Sequence, residues 1–210
     1  MNRYFRNPAF RTEAVLATDD RAFPYHRALR EYAPTPVREL PALGVRLKDE
    51  SDRLGLPAFK ILGMPWRSSA RCASGRRSTC WSPPAPAITA AAARFGAAAG
   101  VRVIVVEPLA APCVTASLEA GEPTRVPTPG TVMAGMDCAE VSPAAWPSLR
   151  YGVYASVLVD DDEIPPALSA LAGAGLVMGE CATSTVAALQ HFEAGPDTVL
   201  IDTEGPTGAD

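Results

Sequence analysis

The feature that most limits how this chain can fold is the alternation of strand-like and helix-like segments after about residue 88. The run VRVIVVEP at 101–108 is rich in β-branched residues and is typical of a strand buried on both faces. APCVTASLEAG at 111–121 has a helical pattern and stops at Gly121, a natural helix C-cap. YASVLV at 154–159 predicts the next strand. Alternation of this kind favours an α/β fold: a mainly parallel sheet with flanking helices.

The same alternation continues towards the end of the chain. The acidic residues 160–162 can supply helix-capping oxygens and a negative first turn to a helix that ends near Gly173. Beyond it we expect a short strand at 176–180, a helix at 182–192 and a final strand at 197–203.

The first 87 residues differ from this pattern. Within 1–63, YAPTPVREL predicts an extended entry, VRLKDES a short strand, and LPAFKILG the start of a helix with Pro57 in its first turn. The stretch at 64–87 has neither a helical nor a strand period and holds four prolines, four arginines and five serines. We therefore predict three parts: an N-terminal segment (1–63), an irregular junction (64–87) and an α/β part (88–210).

Charge and hydropathy exclude several classes of function. The net charge of −4 argues against a nucleic-acid partner, which would need a clustered positive excess. No apolar run reaches membrane-spanning length, and the first residues show no apolar targeting segment. We therefore expect a cytoplasmic protein with no nucleic acid and no membrane as partner.

Metal binding and the common nucleotide or hydrolase motifs are also unsupported. The five cysteines are widely spread without a CxxC pair, and His26 and His191 are the only histidines, so we expect no metal site. The sequence has no GxGxxG, no GxxxxGK[ST], no GxSxG and no HExxH. The sequence therefore indicates neither a dinucleotide-binding fold, nor a P-loop NTPase, nor a serine hydrolase with a nucleophile elbow.

Lys60 is the residue with the most chemical interest. It stands among apolar neighbours in LPAFKILG, and Lys48 is the only other lysine of the chain. Burial lowers the pKa of a lysine and leaves more of the free amine, which imine chemistry needs. The alternative is an ordinary surface lysine near the start of a helix.

Several longer blocks carry a family resemblance. YAPTPV is followed by KDESDRLGLPAFKILG, and later by VIVVEPLAAPCVTASLEAGEP, TVMAGMDCAEVSPAAWPSLRYGV, VDDDE, GECATSTVAAL and DTEGPTGAD. In this order, over roughly 24–63 and 95–208, the sequence resembles the diaminopropionate ammonia-lyases, which are fold-type II enzymes dependent on pyridoxal phosphate (PLP).

The resemblance implies a fold, a cofactor and a reaction. The fold is that of the tryptophan synthase β chain, the cofactor is PLP, and the reaction eliminates ammonia from 2,3-diaminopropionate to give pyruvate and a second ammonia. Lys60 matches the catalytic Schiff-base lysine, Thr203 the partner of the pyridine nitrogen, and Glu180 a glutamate that faces the cofactor ring. The alternatives are an ordinary β-branched residue at a strand end for Thr203 and a carboxylate at a helix N-terminus for Glu180. The implied partners are a small amino-acid substrate and a second copy in a homodimer.

Two motifs of this family have no counterpart here. The family carries a TDGNHG-like loop and a glycine-rich loop that cradles the phosphate; in place of the latter the sequence reads ITAAAARFGAAAG before the strand at 101–108. We therefore expect a large internal deletion between Gly63 and about Ile88, and an incomplete fold with exposed sheet edges and marginal stability. The alternative function is a catalytically inactive remnant or pseudoenzyme without PLP turnover.

Overall fold

The computed structural model describes most of the α/β part and portions of the N-terminal segment. The described residues are 3–15, 22–30, 32–52, 93–94, 96–97, 99–203 and 205. Lys60 and the junction at 64–87 lie outside them.

Strands and helices alternate along the described residues. The strands are β1 (Tyr4–Arg6), β2 (Val37–Leu40), β3 (Val45–Asp49), β4 (Val103–Pro108), β5 (Val153–Val159) and β6 (Val199–Asp202). The α-helices are α1 (Ala22–Arg27), α2 (Cys113–Ala120), α3 (Trp146–Gly152), α4 (Ile164–Gly173) and α5 (Glu180–Ala187). Single 3-10 turns span Thr12–Ala14, Ala134–Met136, Asp161–Glu163 and Ala188–Gln190.

The chain divides into two compact units, and the first contains a mixed three-stranded sheet in the order β1-β5-β4. β4 and β5 are parallel, whereas β1 runs antiparallel to β5. β5 is buried along almost its whole length, as its apolar run predicts. The core of this unit packs α2 and α3 against the sheet; its buried members are Ala93, Val105, Cys113, Val114, Leu118, Val141, Ala145, Leu149 and Val153.

The second unit contains a three-stranded sheet in the order β2-β3-β6, with β3 and β6 parallel and β2 antiparallel to β3. One face is buried through Leu47 and Leu200, which are opposite each other in register. The other face leaves Val37 54% exposed, Val199 45% and Ile201 44%. These exposed β-branched residues share their face of the sheet with Lys48, which is opposite Val37 and Ile201 in register.

Most of the predicted elements are present. The α/β class with flanking helices is confirmed, and both sheets of the described residues are mixed. The strands predicted at 101–108 and 154–159 are β4 and β5, and the last strand is β6. The helix predicted at 111–121 is α2, and Gly121 caps it with a φ of 75°. The three-part division at residues 63 and 87 stays a prediction.

The strand predicted at 176–180 is wrong. Residues 176–179 have no regular structure and Glu180 already begins α5. Gly175 follows α4 with a φ of 73°, and the N–H of Leu176 returns to the carbonyl of Leu171 at 3.0 Å. This is a Schellman-type helix end, so the apolar LVM segment closes α4 instead of pairing with a strand.

The acidic residues before α4 do cap its start, as expected. The carboxylate of Glu163 accepts the N–H of Asp160 at 2.6 Å and contacts the ring of His191 at 2.7 Å. Arg3 lies 3.4 Å from Asp160 and 3.7 Å from Glu163. The reciprocal contacts of Asp160 and Glu163 form a capping box.

Two glycines that each end a helix allow a matched test of packing. A Cβ on Gly152, at the end of α3, would lie 2.9 Å from Cβ of Ala93 and 3.0 Å from its carbonyl oxygen. A Cβ on Gly173, at the end of α4, would meet nothing within 4 Å. We expect Gly152→Ala to lower the free energy of unfolding by about 1–3 kcal/mol. Gly173→Ala should be neutral or raise it by about 0.5–1 kcal/mol. Urea denaturation of both variants measures the two free energies of unfolding. Equal changes in the two variants would contradict the close approach of Gly152 to Ala93.

Candidate functional site

Lys48, the lysine that the structure describes, is held on the second sheet. It lies in β3, and its Nζ donates to the carbonyl and to the hydroxyl of Thr35. Glu50 lies 3.6 Å from the same Nζ and accepts the hydroxyl hydrogen of Thr35 at 2.6 Å. The amine of Lys48 is therefore occupied by its contacts with Thr35 and Glu50. Lys60, the residue that the resemblance implies as the Schiff-base lysine, lies outside the described residues.

Glu180 is the first residue of α5 and is half-buried. The preceding residue, Gly179, accepts the N–H of Thr183 at 2.9 Å and so closes the first turn of the helix. The hydroxyl oxygen of Thr183 is buried and has no hydrogen-bond partner in the described part of the chain. A carboxylate and an unsatisfied hydroxyl thus lie within one turn of each other at this helix start.

Thr203 follows β6 directly and is half-buried. Its neighbour Asp202 is only 3% exposed and is opposite Asp49 in register on the parallel strand β3. Burial alone would raise the pKa of Asp49, but hydrogen bonds from Ser51 and Arg38 hold it below its ordinary value. Thr203 therefore lies at the carboxyl end of a parallel strand pair, which is where α/β sheets bind their ligands.

Glu180 and Thr203 both belong to the second unit. The structure places Glu180 at the start of α5, where the sequence predicts the end of a strand, and Thr203 directly after β6, where the sequence predicts the end of the last strand. Their roles towards a cofactor stay predictions.

A buried polar cluster in the first unit was not predicted. Glu107, 6% exposed near the end of β4, accepts the N–H groups of Val114 at 2.7 Å and Thr115 at 2.8 Å. It also accepts the hydroxyl hydrogen of Thr115 at 2.7 Å, and that hydroxyl lies 2.8 Å from the hydroxyl of Ser156. The side chain thereby caps α2 from seven residues upstream. The sequence signal is a single glutamate that ends an apolar strand run shortly before a helix.

The charge state of this cluster follows from its burial. Burial raises the pKa of Glu107 above its ordinary value, and the donors on Val114 and Thr115 oppose that shift. Burial and the neighbouring Glu107 raise the pKa of the Cys113 thiol strongly, so Cys113 stays protonated. It is therefore no reactive nucleophile, and the cluster as a whole serves to join β4, α2 and β5.

Comparison with protein families decides the assignment. The model of the family described as "Pyridoxal-phosphate dependent enzyme" matches residues 85–204, more than half of the chain. The chain belongs to this family. The cofactor predicted from the resemblance, PLP, is thereby confirmed as that of the family. The matched region includes Glu180 and Thr203 and begins after Lys60.

Solved structures support the fold. The chain is 23% identical to threonine deaminase of T.th., with a TM-score of 0.55, over 59% of this chain and 46% of that one. It is 16% identical to diaminopropionate ammonia lyase of Escherichia coli, with a TM-score of 0.69, over 96% and 93%. For L-serine ammonia-lyase of Rhizomucor miehei the values are 14%, 0.58, 82% and 94%. At these identities the likeness shows the fold-type II architecture alone. Comparison with curated proteins found no match.

The residues present fit one end of the cofactor. A hydroxyl such as that of Thr203 can pair with a pyridine nitrogen, and a carboxylate such as that of Glu180 can face a ring edge. The phosphate end fits less well. A phosphate cradle needs glycines, which let the backbone N–H groups approach closely, and the sequence contains no two adjacent glycines.

Membrane-spanning helices and metal-binding clusters are both absent from the described residues. None of their helices is long and apolar enough to cross a membrane. Nowhere among them do three His, Cys, Asp or Glu side chains come together in an arrangement that could hold a metal ion.

Proposed function

We propose that this chain derives from a PLP-dependent ammonia-lyase that acts on 2,3-diaminopropionate, and that Lys60 is its cofactor-binding lysine. The reaction converts 2,3-diaminopropionate and water into pyruvate and two ammonia molecules. A small amino acid would be the substrate and the cytoplasm its location.

One observation carries the assignment of the lysine. The chain has two lysines, and Lys48 is tied to Thr35 and Glu50 on the second sheet. Lys60 alone remains in an apolar setting that favours a neutral amine. The ordered sequence blocks from YAPTPV to DTEGPTGAD support the diaminopropionate ammonia-lyase branch over other members of the family.

The side chains have distinct roles in this proposal. When bound, PLP supplies an electron sink for the negative charge that develops at the substrate Cα. Lys60 would hold the cofactor covalently, and its amine would move the proton at the substrate Cα. Thr203 orients the pyridine nitrogen through its hydroxyl, and Glu180 orients the ring from the start of α5.

A second candidate function is a remnant that no longer turns over PLP. One observation favours it: the sequence has no pair of adjacent glycines for a phosphate cradle. A large internal deletion between Gly63 and about Ile88 would remove that cradle.

The two candidates differ in one assay. The purified chain, supplied with PLP, is given L- or D-2,3-diaminopropionate, and pyruvate is followed with a coupled dehydrogenase. Pyruvate that depends on both PLP and Lys60 supports the lyase. A folded chain that binds PLP yet forms no pyruvate from either isomer supports the remnant.

A further inference from the structure

Four arginines of the first unit stack on two tyrosines in two groups, one around each ring, and we call the two groups together the arginine–tyrosine surface. Its members are Arg6, Arg11, Arg102, Arg150, Tyr151 and Tyr154. The guanidinium carbons of Arg6 and Arg102 lie 3.4 and 4.8 Å from the ring centre of Tyr154. Those of Arg11 and Arg150 lie 4.6 and 5.4 Å from the ring centre of Tyr151.

The positive charge of this surface is not neutralised within the described part of the chain. None of its four arginines forms an ion pair with a described carboxylate, whereas Arg3, Arg38, Arg46 and Arg125 all do. Arg6, Arg11 and Arg102 are exposed to solvent. The Nε of Arg150 is buried and has no hydrogen-bond partner among the described atoms. Within the described part of the chain these four arginines thus have no carboxylate partner, although the net charge of the chain is −4.

The backbone beneath the surface is held in place. Asn7, 2% exposed, donates from its amide to the carbonyls of Arg150 at 2.9 Å and Val153 at 2.6 Å. Arg6 donates to the carbonyl of Tyr154 at 2.6 Å, and the N–H of Arg11 donates to the carbonyl of Tyr151 at 3.0 Å. Guanidinium groups that already stack on rings lose less side-chain freedom when they bind an anion.

We propose that the arginine–tyrosine surface binds a small anion that carries two adjacent phosphate groups. A guanidinium group can bind two phosphate oxygens in a bidentate manner, and two guanidinium groups stack on each tyrosine ring. Tyr151 and Tyr154 are three residues apart, so their Cα atoms lie within about 11 Å of each other. Nucleic acid is the poorer fit, because guanidinium groups already occupy positions over the rings on which bases would stack.

Calorimetric titration of the full-length chain with inorganic pyrophosphate at low ionic strength tests this proposal. We expect saturable binding that Arg102→Ala weakens at least fivefold and Arg11→Ala with Arg102→Ala at least tenfold. Arg125→Ala is the matched control, since Arg125 is exposed and paired with Glu140, and it should leave the affinity unchanged. Arg102→Lys keeps the charge but loses the planar guanidinium group that binds in a bidentate manner. This variant should therefore also bind pyrophosphate more weakly than the parent.

Several results would overturn the proposal. No heat of binding from a chain whose circular dichroism shows it to be folded would do so, as would equal losses in Arg102→Ala and Arg125→Ala. Malonate binding as tightly as pyrophosphate would make this a general carboxylate surface and refute the phosphate assignment. Tighter binding of a single-stranded oligonucleotide than of pyrophosphate would point to nucleic acid instead.

Discussion

Replacing Lys60 by alanine is expected to abolish covalent attachment of PLP to this chain. Borohydride treatment of the parent chain with PLP should fix a fluorescent pyridoxyl group that remains after denaturation and gel filtration. In Lys60→Ala that signal should fall to the background of PLP-free protein, because Lys48 is engaged with Thr35 and Glu50.

Lys48→Ala is the matched control for this experiment. It removes the other lysine and an exposed-face contact of β3, and should retain the full fluorescent signal of the parent. Loss of labelling in Lys48→Ala with retention in Lys60→Ala would reverse the assignment. Circular dichroism of both variants separates loss of the lysine from loss of the fold.

The largest effect on stability is expected at Glu107. Glu107→Ala leaves the N–H groups of Val114 and Thr115 without the acceptor that caps α2, in a buried position next to Ser156. Unsatisfied buried donors and the volume lost together should lower the free energy of unfolding by about 3–5 kcal/mol. Urea denaturation followed by circular dichroism measures this loss.

The pH dependence of this effect has a defined sign. Because burial raises the pKa of Glu107 in the folded state, its stabilising contribution is complete below the ordinary carboxyl pKa of 4.5 and declines as the pH rises through the raised pKa. The difference between parent and Glu107→Ala should therefore shrink with rising pH. Glu119→Ala, an exposed change on the same helix, should stay within about 0.5 kcal/mol throughout. An equal loss in both variants would refute the capping role.

Strong local patterns account for the part of the fold that sequence could predict. β4 and β5 are continuous apolar runs, and α2 ends at a glycine in the left-handed conformation, so each element is specified by its own residues. β1 was not predicted because three residues carry no period; it exists only through pairing with β5. The strand expected at 176–180 is absent because Leu176 closes the end of α4 and Glu180 already begins α5.

The sequence also predicts only part of the candidate functional residues. Thr203 lies at a strand end, which its local sequence indicates, whereas Glu180 lies at a helix start although the sequence predicts a strand there. The Glu107 cluster and the arginine–tyrosine surface join residues far apart in sequence, such as Thr115 with Ser156 and Arg6 with Tyr154. Contacts of that kind depend on tertiary packing and leave no periodic signal.

The most direct test of the central claim is to locate the cofactor on the chain. The parent protein is incubated with PLP, reduced with borohydride and digested, and the peptides are analysed by mass spectrometry. The pyridoxyl group is predicted on Lys60 at near-stoichiometric occupancy, with Lys48 unmodified. A folded chain with no modified peptide, or with the group on Lys48 or the N-terminal amine instead, would contradict it.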